Sequence, residues 1–202
     1  MKFTTDYRKL DEMPETIPVF PLDGALLLPR AELPLNIFEP RYLAMIDDAM
    51  KSDRIIGMIQ TKGDNQSPPA MLGVGCAGRI TSFSEARDNR LLITLTGLCR
   101  FSVSEELEVD TAYRQVKPNF RDFEVDLVSD LGANEVNRPA LMKAFKDYLT
   151  ANDLNADWDE INATSTEVLV NTLSLLAPYP PRDKQALLEA PDLKTRADVL
   201  VA

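Results

Sequence analysis

The stretch FPLDGALLLPRAELPLNIFEPRY, residues 20–42, decides how the rest of the chain is read. It is strongly apolar, yet Pro21, Pro29, Pro34 and Pro40 punctuate it. Proline lacks a backbone donor and is tolerated poorly in helix interiors and central strands. The stretch therefore reads as short β-type runs (17–20, 26–28 and 33–38) with prolines at their margins, as edge strands and turns allow. Pro40 then suits the first turn of a helix, where a missing donor costs nothing. From there Tyr42, Met45, Ile46, Ala49 and Met50 recur at i, i+3, i+4, i+7 and i+8, which predicts an amphipathic helix over 40–51.

Outward from this helix the period changes to two. Residues 55–60, IIGMIQ, read as a buried strand, KGDNQSPPA as a loop, and 74–83 as another strand with Gly73, Gly75 and Gly78 marking bulges or close backbone approach. Leu91, Ile93, Leu95, Cys99, Phe101 and Val103 alternate in one phase, and Gly97 fills the missing in-phase position, which predicts a bend there. Residues 113–117 add a last strand. Beyond about 121 the period becomes helical. Leu141, Met142, Phe145, Tyr148 and Leu149 form one stripe, and Thr164 with Glu167 reads as a capping box opening a second helix that Pro178 stops. Pro181 opens a third helix and Asp192 caps a fourth. Strands followed by helices predict an α+β fold divided into an extension (1–16), a β subdomain (17–121) and a helical subdomain (122–202).

Composition narrows the chemistry. The 202 residues carry a net charge of −10, with −2 in residues 1–121 and −8 in 122–202, the reverse of a phosphate-binding surface. A local basic patch from Arg79, Arg87, Arg90 and Arg100 keeps an RNA-binding reading in play. The chain has no histidine, which removes Ser-His and Cys-His nucleophile pairs and His-containing zinc sites. Cys76 and Cys99 lack CxxC spacing and read as small buried hydrophobes. There is no GxxxxGK[ST] loop and no GxGxxG following a strand. Asp157, Asp159 and Glu160 read as a solvated acidic loop, since they lack the length and glycine of a calcium loop. No cofactor is expected. The charged N-terminal residues and the absence of a long apolar run predict a cytoplasmic chain without a membrane span.

PVFPL and LPLNIFEPRY, followed in order by GVGCAGRI, RLLITLTGLCRF and KQALLEAPDLKTR, resemble the N-terminal substrate-binding domain of the ATP-dependent Lon protease. The resemblance runs from about residue 17 to 200. It implies a PUA-like, mainly antiparallel β-barrel with an inserted helix, followed by a helical bundle. It also implies a non-catalytic domain that recognises unfolded or partly unfolded polypeptide, or acts beside an ATP-dependent protease, since no ATPase or Ser-Lys peptidase segment is found in these residues. An apolar recognition site is expected at Leu33, Leu35, Phe38 and Tyr42, by addition of a peptide strand to an unpaired edge. Glu39, Arg79 and Arg100 are expected to form an internal ion-pair set joining barrel to helix.

Overall fold

The computed structural model describes residues 7–63, 67–88 and 90–201. Six strands form one mixed sheet: β1 (Ile17–Pro21), β2 (Glu32–Ile37), β3 (Ile55–Thr61), β4 (Met71–Glu85), β5 (Leu91–Leu107) and β6 (Gln115–Asn119). Helix α1 (Pro40–Met50) lies between β2 and β3. Pairings β3–β4, β4–β5, β5–β6 and β6–β1 are antiparallel, and β1–β3 is parallel. These five pairings run in a closed cycle, and β2 pairs antiparallel with the first part of β5 outside it. The parallel contact follows from the α1 crossover, which returns the chain beside β1 in the same direction.

The in-phase residues of β5 do enter the core: Ile93, Leu95, Cys99 and Phe101 are all buried. Gly97 is needed for a more specific reason than a bend. A Cβ there would lie 2.0 Å from the Leu28 carbonyl oxygen. The segment before β2 is pinned against it, with Arg30 N–H donating to Gly97 O (2.8 Å) and Gly97 N–H to Ala31 O (2.9 Å). Leu26, Leu27 and Leu28 are buried here, but they form no strand, contrary to their apolar pattern. Their packing comes from this close backbone approach and not from a ladder.

The prolines also sit deeper in strands than expected. Pro18 and Pro21 belong to β1, Pro118 to β6, and Pro34 is the third residue of β2. β2 ends the strand order, so Pro34 occupies an edge strand, where its missing donor is tolerated.

After β6 come two 3₁₀ segments (Arg121–Leu127 and Ala133–Glu135) and helices α2 (Arg138–Ala151), α3 (Trp158–Ala163), α4 (Thr166–Leu176), α5 (Pro181–Glu189) and α6 (Leu193–Val201). The N-cap of α4 is Ser165, whose hydroxyl accepts from Val168 N–H; Thr164 instead closes α3. The N-cap is thus displaced by one residue, because α3, too short to show a stripe, claims Thr164 first. The expected capping box does not form: the third helical position is Val168, and Glu167 binds Arg30 and the Asp130 N–H instead. Asp192 caps α6, accepting from Thr195 N–H at 2.7 Å. Leu187 and Leu188 of α5 share a core with Phe20, Met45, Ile56 and Leu95, while Leu141, Val170 and Ala197 form a separate core among α2, α4 and α6.

Candidate functional site

On α2, Leu141, Ala144, Phe145 and Tyr148 lie on one face at i, i+3, i+4 and i+7. On α4, Leu173 and Leu176 face them at i and i+3. The two helices do not close on each other. Pro178 and Pro180 hold the chain extended after α4 and Pro181 opens α5, which leaves toward the sheet and fills none of the space. The result is a groove of about 280 Å³ whose lining, which also includes Tyr179 and Leu200, contains no charged side chain. Its mouth is open, with Leu176 75% and Tyr148 42% exposed. The Phe145 ring is braced against Trp158 of α3, centroids 6.0 Å apart. Such an uncharged, concave, partly wetted surface favours burial of apolar side chains over any chemistry.

The expected site at the proline-rich front is mostly closed. Tyr42 is 5% exposed and packs on Phe20, ring centroids 4.1 Å apart, so it belongs to the core and not to a binding margin. Leu33 and Leu35 are half-buried against the same core. Phe38 alone is open, at 61%. Pro34 also removes a backbone donor from the middle of β2, which weakens this edge as a template for a further strand.

The expected ion-pair set does not assemble either. Glu39 pairs with Arg41 two residues on, at 2.8 Å, on the surface. Arg100 is buried and bound by both carboxylate oxygens of Asp126, 2.8 Å each, and it donates to Leu188 O and Ala190 O. Arg79 donates to Tyr7 Oη (3.0 Å) and Asp53 O (2.9 Å). Burial of Arg79 and Arg100 withdraws two members of the basic patch, leaving Arg87 and Arg90 exposed.

Other residues singled out by pattern are structural. Cys76 and Cys99 are buried, and burial pushes both thiols up, with the Asp126 carboxylate adding to the effect. Asp157 caps α3, accepting from Asp159 and Glu160 N–H. GVGCAG, residues 73–78, has the spacing of a dinucleotide fingerprint but lies inside β4. Its Gly75 admits the Met58 carbonyl oxygen, 2.6 Å from where a Cβ would be. The groove residues were legible only as a helical core stripe. Periodicity locates a stripe but carries no signal of whether another element covers it.

Fold and groove together describe a scaffold that offers an apolar recess. The chain belongs to the ATP-dependent protease La (LON) substrate-binding domain family, whose model matches residues 16–201. Lon protease 2 of Myxococcus xanthus is 26% identical over 204 residues, covering 95% of this chain and 24% of its own length. Lon protease of Desulfosudis oleivorans is 24% identical over 196 residues, covering 92% and 23%. The chain thus spans about a quarter of the length of these relatives, and the match is to the substrate-binding domain. The fold is shared with the Lon N-terminal domain protein from Xanthomonas campestris (TM-score 0.63, 22% identity, 92% of this chain and 96% of that one). It is shared too with the N-terminal domain of Mycobacterium avium complex Lon protease (TM-score 0.65, 16% identity, 92% and 96%). Among the described residues no helix is long and apolar enough to cross a membrane.

Proposed function

We infer that this domain recognises exposed apolar segments of polypeptide, and that the groove between α2 and α4 receives them. One observation carries the reading: large apolar side chains, Leu176 and Tyr148, stand open at the mouth of an uncharged recess. A soluble domain gains by covering such surface unless it serves binding. In this reading the closed cycle of strands is a PUA-like barrel serving as scaffold, and the helices after it form a bundle that presents the groove. Exposed Phe38 is an auxiliary apolar contact. The domain performs no hydrolysis of its own, and its partner is unfolded or partly unfolded polypeptide, handed to an ATP-dependent protease. An RNA-binding role is disfavoured by the net charge of −10 and the internal position of Arg79 and Arg100.

Fluorescence anisotropy with labelled, amidated apolar peptides tests the groove. Leu176→Asp and Tyr148→Asp should each weaken binding about tenfold or more while circular dichroism stays native, and affinity should change little with salt. Folded variants that bind like wild type would remove the groove from consideration. Purified protein with MgATP should leave casein intact; cleavage that co-purifies with the chain would overturn the non-catalytic reading.

A further inference from the structure

A second cavity, of about 270 Å³, lies where the segment after β6 meets the start of α6. Its walls include Val125, Val128 and Leu131, all about half exposed. Charged groups also line it, and the buried ones are matched with one exception. Asp126 is held by Arg100. Glu167 is held by Arg30 and by the backbone N–H of Asp130 at 2.7 Å. Arg196 is the exception. It is 4% exposed, and its Nε and Nη1 donate to neutral acceptors, Leu187 O (2.8 Å) and Asn171 Oδ1 (2.9 Å). Its Nη2 has no acceptor among the described residues, and no carboxylate there is in ion-pair distance of the guanidinium.

A buried cation with only neutral partners is costly, and a bound anion relieves that cost. Burial lowers the Arg196 guanidinium to about 10, and the Arg100 guanidinium pushes the same way against the nearby Asp126 and Glu167 carboxylates, so the group is still charged at neutral pH. Helix α6 begins at this wall with Leu193 and Lys194, its first turn already capped by the Asp192 carboxylate. Glu135 and Asp192, both exposed, act against anions here, so a bare anion gains little and an apolar group must contribute.

We propose that this cavity binds the free C-terminus of a polypeptide ending in an apolar residue, its carboxylate on Arg196 and its last side chain against Val125, Val128 and Leu131. The volume lies at the small end of the roughly 300–1,000 Å³ of ligand pockets, room for a terminal residue and not for a running segment. The inference rests on the polypeptide-recognition reading but uses a site separate from the α2–α4 groove.

The test compares short, N-terminally labelled peptides ending in leucine, as free acid and as amide, by fluorescence anisotropy on the whole chain. The free acid should bind about tenfold or more tighter, as for a hydrogen bond to a charged group. Arg196→Gln should abolish that difference, Leu131→Asp should weaken the free acid, and Leu176→Asp should leave the difference intact. Should Arg196→Gln fail to fold, the wild-type comparison and the surface variant Leu131→Asp still decide. Equal affinity for acid and amide, or a difference that survives folded Arg196→Gln, overturns the proposal. Equal affinities that remain sensitive to Leu176→Asp would remove this site and leave the groove standing; an acid–amide difference with no Leu176 dependence would do the reverse.

Discussion

Arg100 on β5 and Asp126 in the 3₁₀ segment after β6 form a buried, two-pronged ion pair, and Asp126 also accepts from the Arg100 backbone N–H at 2.9 Å. The same guanidinium reaches the carbonyls of Leu188 and Ala190 at the end of α5. One side chain thereby holds sheet, connecting segment and helices together. Removing one partner of such a pair strands a charge, and Asp126→Ala should cost about 3–5 kcal/mol in urea unfolding. A loss below about 1 kcal/mol would show that water replaces the carboxylate and that the pair holds nothing in place.

Of the glycines, Gly97 is the one where an added Cβ would meet the closest neighbour. Gly97→Ala puts a methyl 2.0 Å from the Leu28 carbonyl oxygen, which accepts from Ala31 N–H in a segment that Arg30 and Ala31 pin to Gly97, so the segment carrying Leu28 must move. Overpacking of this kind costs about 1–3 kcal/mol or more. Thermal melts should show it, and an unchanged midpoint would mean that the segment is free to retreat.

Leu95 and Leu176 are the same residue type in opposite settings. Leu95 is fully buried and Leu176 is 75% exposed. Leu95→Ala should cost about 2–5 kcal/mol, and Leu176→Ala should stay within about 0.5 kcal/mol. Comparable losses at both positions in denaturant titrations would mean that the groove mouth is closed in solution.

Tyr113 gives a pH dependence. Burial, and then its hydroxyl's 2.8 Å hydrogen bond to Asp48, push its phenol up from 10.0 to about 12. A raised folded-state value means stability that is complete below the unfolded value of about 10 and lost as pH rises through about 12. Wild type should therefore exceed Tyr113→Phe by a constant margin from neutral pH to about 10, and the margin should narrow above it. A margin that widens at alkaline pH would reverse the sign and refute the assignment.

Residues alone determine what depends on near neighbours in the chain. The 3.6-residue stripe of α1, the alternation along β5, the Asp192 cap of α6 and the prolines opening α1 and α5 are all local signals, and each marks an element found in the structure. Tertiary structure decides whatever depends on which elements lie side by side. The apolar run at Leu26–Leu28 has strand chemistry but no partner ladder. Arg79 and Arg100 carry the same charge as Arg87 and Arg90, yet only the first pair is folded inside. Tyr42 looked like the margin of a site because nothing in its own helix reveals that Phe20 covers its ring. The stripe on α2 looked like core for the opposite reason. A hydrophobic pattern states which face seeks cover, and only the path of the chain after Pro178 determines that part of that face is left open.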